Sequence, residues 1–179
     1  MNPEELIRSL IILIGDYPDR EGLKETPKRV IDSFKEIYKG YDIKQKPEIK
    51  TFSPTGADDS IIVNKGEFNS VCEHHMLTFS GNYFFGYVAD KKKEIGLSKI
   101  PRVIEWHSAR LQTQERLTKE VIKDLEDALN PKGIILILKA NHLCVNIRGV
   151  KQSESEMVTS IVRGCLKNRQ EEFFSLIKV

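Results

Sequence analysis

Apolar residues recur at helical spacing from the start of the chain. Leu6, Ile7, Leu10, Ile11 and Ile14 form a stripe behind Asn2, a capping residue, and Pro3, which suits a first helical position. Gly15-Asp16-Tyr17-Pro18 interrupts the pattern. A second stripe, Val30, Ile31, Phe34, Ile37 and Tyr38, starts from Thr26-Pro27 and stops at Gly40, so the chain opens with a helical pair. Residues 41–58, with Pro47, Pro54 and Gly56, read as a linker.

The period then changes. Residues 59–72 and 80–90 are rich in Ile, Val, Phe and Tyr, which predicts two strands joined through the Cys72–Thr78 segment. Residues 99–111 predict a helix that carries Pro101 in its first turn. Leu117, Val121, Leu125 and Leu129, with Ile122 beside them, predict a longer helix that Asn130-Pro131-Lys132-Gly133 stops. The apolar run Ile134 to Leu138 predicts a buried strand continuing towards Arg148. Met157, Val158, Ile161, Val162, Cys165 and Leu166 fit a helix by spacing and a strand by β-branched content, and both readings stand. Residues 168–178 predict a short terminal helix capped by Asn168. Strands in adjacent pairs with helices between them make an α+β fold with an antiparallel sheet. The division expected is a helical region and linker over 1–58 and a second domain over 59–179.

Composition changes this picture little. The chain has 179 residues, 40% hydrophobic and 30% charged, as a soluble globular protein does. A formal net charge of +2 gives no reason to expect nucleic acid or a membrane surface as partner. Any bound anion must be gripped by a local cluster of cations. Lys91-Lys92-Lys93, the longest run of one sign, reads as a solvated turn. No stretch reaches the ~18 consecutive apolar residues of a membrane span, and the first residues lack the pattern of a secretory leader. The three cysteines are odd in number and widely spaced, which suits a reducing cytoplasm and thiols free for metal.

The densest chemistry is Cys72-Glu73-His74-His75, echoed by His142-Leu143-Cys144. Two thiols and an imidazole are donors that zinc prefers. Cys72 and His75 can ligate from one turn, with Cys144 returning from a distant strand. His74 and His142 then stand beside the metal as groups able to move protons near neutral pH. A closed structural site with His142 as fourth ligand is the alternative. Cys165 sits in an apolar pattern and reads as a buried spectator.

Three further clusters carry polar chemistry. Ser98, Lys99 and Arg102 place a hydroxyl and two cations at a helix start, either as a polyphosphate grip or as capping plus surface charge. Gln114-Glu115-Arg116 opens the next helix. There Glu115 can accept two N–H bonds from an amidine-like edge such as that of guanine, or simply favour the helix dipole. Arg148 lies close behind Cys144, and Arg29 reads locally as a solvated helix residue.

Taken in order, five stretches resemble the GTP cyclohydrolase type I family. They are Pro18-Asp19-Arg20-Glu21-Gly22-Leu23 with Glu25-Thr26-Pro27-Lys28-Arg29; Cys72-Glu73-His74-His75; Gly96-Leu97-Ser98-Lys99-Ile100; Gln114-Glu115-Arg116-Leu117-Thr118; and His142-Leu143-Cys144 with Arg148-Gly149. Pro101, Trp106 and His107 depart from the family pattern. The resemblance implies conversion of GTP and water to 7,8-dihydroneopterin triphosphate and formate, on a tunnelling fold (T-fold) with a four-stranded antiparallel sheet backed by helices. It implies a homodecamer of two stacked pentamers with active sites between subunits, and it makes the ambiguous 155–166 segment the fourth strand. Carried over by position, Cys72, His75 and Cys144 hold Zn2+, which readies water for attack on guanine C8. His142, His74 and Ser98 carry the catalytic steps. Glu115 and Gln114 hold the base or sugar. Lys99, Arg102 and Arg148 take the triphosphate, joined by Arg29 from a neighbouring subunit.

Overall fold

A computed structural model of the chain describes residues 2–53, 59–90 and 93–178. Pro54 and Gly56 of the expected linker, and Lys91 and Lys92 of the basic run, lie outside the described residues. The chain divides into two compact units, Met1–Lys39 and Gly40–Val179.

The first unit is the expected helical pair, α1 (Pro3–Leu13) and α2 (Thr26–Ile37). Asn2 accepts the Glu4 backbone N–H at 3.0 Å, and Glu4 and Glu5 place negative charge against the free amides of the first turn. In α2 the cap position belongs to Glu25, with Thr26 and Pro27 already inside the helix.

The second unit contains β1 (Thr51–Phe52), β2 (Ile61–Cys72), β3 (Thr78–Val88), β4 (Glu94–Ile95), α3 (Lys99–Ser108) and β5 (Leu111–Gln112). It continues with α4 (Gln114–Leu129), β6 (Gly133–His142), α5 (Leu143–Asn146), β7 (Glu156–Gly164) and α6 (Gln170–Ile177). The main sheet has the order β5-β2-β3-β6-β7, and β1 and β4 form a separate pair. The four long strands are antiparallel, whereas β5 runs parallel to β2 through Val71↔Leu111 and Cys72↔Gln112. The expected four-stranded antiparallel sheet is therefore a five-stranded mixed one. The difference arises where the helix expected over 99–111 stops at Ser108, freeing Leu111 and Gln112 to extend the sheet.

The apolar run of β6 is continuous because both faces of the strand are covered. Ile134, Leu136 and Leu138 pack with Leu117, Val121, Ile122, Leu125 and Leu129 of α4 and with Ile100, Val103 and Ile104 of α3. Ile135 and Ile137 face the opposite way, against Phe173 and Ile177 of α6. The ambiguous 155–166 segment resolves as β7, in which half-buried Met157 and Thr159 alternate with exposed neighbours. Pairing with β6 along its length decides the matter in favour of period two. Asn130 ends α4 in the left-handed conformation, φ 45°, which asparagine tolerates. Two other expectations shift: Asn168 closes a 3-10 turn rather than capping the last helix, and Cys144 lies on the helical turn α5 rather than on a strand.

His107 is buried at 5% exposure between α3 and α4. Its Nε2 lies 2.8 Å from Asp124 Oδ2, while Nδ1 faces the guanidinium of Arg110. A guanidinium only donates, so Nδ1 accepts and the ring proton sits on Nε2, donated to Asp124. Lys46 closes on the same carboxylate at 2.7 Å, and Glu120 lies 3.5 Å from Nδ1. Burial pushes the imidazole pKa down, more than Asp124 pulls it up. The fold thus holds His107 neutral, and its contribution to stability is complete above the unfolded pKa of about 6.5 and is lost as pH falls below it. Denaturant midpoints measured between pH 8 and pH 5 should therefore fall on acidification, with a slope of at most about 1.4 kcal/mol per pH unit from this one group. His107→Gln should flatten that slope, leaving a remainder from His142, which burial also holds neutral.

Candidate active site

Strand β2 ends at Cys72, and the chain reverses at once. Cys72 N–H donates to Leu77 O at 2.8 Å, Met76 N–H donates to Cys72 O at 2.8 Å, and Met76 adopts φ 54°. This tight turn puts the Cys72 Sγ and His75 Nδ1 atoms 3.8 Å apart. Opposite, β6 pairs with β3 so that His142 stands across from Phe79, and α5 then folds Cys144 back towards β3. Among the described residues, Cys72, His75 and Cys144 form the group whose donor atoms lie within 4.8 Å of one another.

The donors fit a metal by chemistry and by spacing. Tetrahedral bonds of about 2.3 Å to sulfur and about 2.0 Å to nitrogen give ligand–ligand edges of roughly 3.5–3.8 Å, the separation that Cys72 and His75 already have. Burial raises the Cys144 thiol pKa, and the neighbouring Cys72 thiol raises it further, while Arg148 pulls the other way. A cation there would reverse that balance by favouring both thiolates. Cys165 stands apart, beside the α6 cluster with Leu166 and Phe173.

His142 is not part of that group. Its ring stacks on Phe79 with centroids 4.5 Å apart and planes 1° from parallel, and its Nε2 lies 2.9 Å from Gln114 Oε1. Gln114 is 1% exposed, and its amide nitrogen donates to Leu138 O, Met157 O and Thr159 Oγ1 at 3.0, 3.0 and 3.1 Å. All three partners accept, so the amide cannot be turned over, and Oε1 must receive the Nε2 proton of His142. Burial lowers the His142 pKa against the pull of Glu115. The result is a neutral imidazole with its lone pair on Nδ1. His74 is exposed, with Nδ1 3.8 Å from Cys72 Sγ and Nε2 3.8 Å from Glu73 Oε1.

The remaining candidates line up less tightly. Ser98 occupies the N-cap of α3, yet its side chain makes no capping bond, so the hydroxyl is not consumed by the helix. Lys99 and Arg102 follow in the first turn of α3 and have no ion-pair partner among the described residues; Arg148, exposed behind α5, has none either. Glu115 is exposed in the first turn of α4. Arg29 is exposed on α2. Two groups with no role expected from the residue pattern are bonded here: Glu73 to Arg116, and Gln112 to Arg116. Glu73 lies within the Cys-Glu-His-His motif, whereas Gln112 lies outside every motif singled out above and reaches Arg116 through β5, which leaves no pattern.

A family model described as GTP cyclohydrolase I matches residues 3–178. A GTP cyclohydrolase 1 of Wolinella succinogenes is 43% identical over 179 residues, covering 98% of this chain and 95% of that one. Those of Campylobacter concisus and Helicobacter pylori are 39% and 42% identical, covering 97% and 92% of this chain and 93% of each relative. Among solved structures, the archaeosine synthase QueF-Like in its apo form is similar in fold. It has a TM-score of 0.50 at 15% identity and covers 59% of this chain and 94% of its own.

Metal analysis after gel filtration should find stoichiometric metal in the unaltered protein and in Cys165→Ala. Cys72→Ala, His75→Ala and Cys144→Ala should each lose it, since two protein ligands remain where three are needed.

Proposed function

The chain belongs to the GTP cyclohydrolase I family, and we propose that it is the zinc-dependent enzyme that hydrolytically opens the imidazole ring of GTP and rebuilds it as 7,8-dihydroneopterin triphosphate, releasing formate. The product is the pterin skeleton of folate-type cofactors. The observation that carries the reading is the thiol–imidazole–thiol group of Cys72, His75 and Cys144, with a neutral His142 held nearby by Gln114. Zinc, when bound, supplies a Lewis acid that readies water for attack near neutral pH; Fe(II) suits the same donors.

The chain's own residues do the rest. His142 offers the Nδ1 lone pair as proton acceptor, and the bond from Nε2–H to Gln114 keeps that tautomer while the proton moves. Gln114 is thereby assigned to His142 rather than to direct contact with base or sugar. His74, exposed beside Cys72, is the second proton carrier, at the imidazole or ribose side. The unconsumed hydroxyl of Ser98 serves the ribose rearrangement. Glu115 accepts the N1–H and 2-amino group of guanine. Lys99, Arg102 and Arg148 meet the triphosphate, whose charge of about −4 calls for cations without partners of their own. Arg29 joins them from a neighbouring subunit.

The architecture belongs to this reading as well. The four long antiparallel strands with helices against them are the T-fold, and the assembly is a decamer of two pentamers. Support comes from β7, the last strand of the sheet, and from Ile147, Val150 and Val158, which are 60%, 69% and 58% exposed in the single chain. A cytoplasmic location accords with thiols that are all free.

The test is zinc-loaded protein with GTP, following formate and the dihydropterin absorbance together. Both should rise in step. Formate without the chromophore would separate ring opening from rearrangement and implicate Ser98; neither signal, with zinc and GTP bound, would refute the reading. His142→Ala should keep zinc and bind GTP while kcat falls by about 10²–10⁴.

A further inference from the structure

We propose that Arg116 is a positioning residue, a guanidinium strut that sets the metal-ligand turn in register with the helix start that holds His142. The inference rests on the catalytic reading above for its kinetic part and on geometry alone for its metal part.

Glu73 lies between the ligand Cys72 and His74, in a turn closed mainly by its own backbone. Its main link outward runs to β5 and α4. Glu73 N–H donates to Gln112 O at 3.0 Å, beside the parallel pair Cys72↔Gln112. The Glu73 carboxylate accepts from Arg116 Nη2 at 2.5 Å. The same Nη2 donates to Leu111 O at 2.7 Å, and Arg116 Nε donates to Gln112 Oε1 at 2.7 Å. One planar group thus ties together the ligand turn, β5 and the first turn of α4.

Its anchor is stiff. Gln112 is 1% exposed, and its amide nitrogen donates to His107 O at 3.0 Å and to Glu120 Oε2 at 2.9 Å. Glu120 in turn accepts from Arg110 at 2.9 Å, so the amide orientation is set from behind. On the other side of the strut, Gln114 precedes Arg116 by two positions and carries the bond to His142. The metal turn and the proton-carrying imidazole therefore share one mechanical reference, and Arg116 is the side chain that joins them.

The two charged side chains of the strut are 42% and 32% exposed, so the ion pair adds little to global stability. Its geometric effect is larger, because a fork of fixed N–H directions constrains where Glu73 can sit. Groups one shell out from a metal typically change its affinity or the enzyme's activity by about 10–100-fold when removed. A lysine keeps the charge but has no fork, so it cannot hold Gln112, Leu111 and Glu73 at once.

The experiment compares the unaltered protein with Arg116→Gln and Arg116→Lys. It measures Zn2+ affinity by chelator competition, the d–d spectrum of the Co2+-loaded protein, the melting temperature, and kcat and KM for GTP. Arg116→Gln is expected to weaken Zn2+ by about 10–100-fold, shift the Co2+ spectrum and lower kcat by a similar factor. The melting temperature should hold and KM should change by less than about threefold if Arg116 does not touch substrate. Arg116→Lys should recover only part of each loss, and millimolar methylguanidinium should restore kcat in Arg116→Gln. Unchanged metal affinity, spectrum and kcat in Arg116→Gln would overturn the proposal. So would a loss confined to KM, which would make Arg116 a substrate contact, or a loss that merely follows a lower melting temperature in both variants. If the unaltered protein released no formate from GTP, the catalytic reading would fail while the affinity and spectral comparisons still judged the strut.

Discussion

His142 stands opposite Phe79 because β6 pairs with β3 in one register, and the chemistry follows from that pairing. The Cys-Glu-His-His turn sits at the start of β3, and the His-Leu-Cys segment sits at the end of β6. Antiparallel pairing brings those two ends together across a separation in sequence that no local interaction could span. A slip of one residue would turn His142 away from Phe79 and carry Cys144 from the ligand turn. The register is held by side chains that fill both faces of β6, so the core on each side of the sheet resists that slip. Gly81 contributes locally: a Cβ there would lie 2.0 Å from Lys139 O, so only glycine lets the strands approach two residues from the stacked ring pair.

Polar groups buried behind the site are nearly all satisfied, which is what makes them usable. Gln114 spends its amide on two backbone carbonyls, one hydroxyl and the imidazole. Thr118 donates to Gln114 O at 2.7 Å and meets Thr159 Oγ1 at 2.7 Å, so the helix start is bonded to β7 as well. A buried amide with every partner in place has one orientation, and that orientation dictates which nitrogen of His142 carries the proton. Ser108 Oγ is the buried side-chain atom without a partner among the described residues, and it lies at the end of α3.

Much of this was legible in the residues and some was not, for reasons that differ from case to case. α1, α2, α4 and β6 announce themselves through long periodic or continuous apolar patterns with capping and stop residues at their ends. The 155–166 segment does not, because Met157, Val158, Ile161 and Val162 satisfy both periods, and the sheet edge it joins is a tertiary fact. β5 is two residues long, too short for any pattern, yet it brings Gln112 beside Cys72. Chemical type singled out Cys72, His75, Cys144 and His142 as candidate donors, and the resemblance rather than spacing set His142 apart from the other three. That Cys144 rides on a helical turn was not legible, since the apolar run before it gives no sign of where the strand stops. Gln114 was visible as a motif residue, but its partners are carbonyls of β6 and β7, and backbone atoms leave no trace in a sequence.

The candidate residues divide by exposure in a way that matches the demands of the chemistry except at His75 of the metal group and at His74, both of which are exposed. Cys72, Gln114 and His142 are buried or half-buried, with their neighbours bonded in place. Ser98, Arg102, Glu115, His74 and Arg148 are exposed, and Lys99 partly so. Groups that hold a metal or set a tautomer gain from rigidity, because a proton transfer tolerates little error in distance. Groups that meet a large anion gain from being solvated until it arrives, since a cation already paired would have to give up its partner first. Many charges elsewhere in the chain do have partners: Lys46 with Asp124, Arg110 with Glu120 and Arg163 with Glu126. Lys99, Arg102 and Arg148, like several other cations of the chain, have no ion-pair partner among the described residues. In a chain of near-neutral net charge, cations left free in this way are what the proposed grip on a triphosphate would draw on.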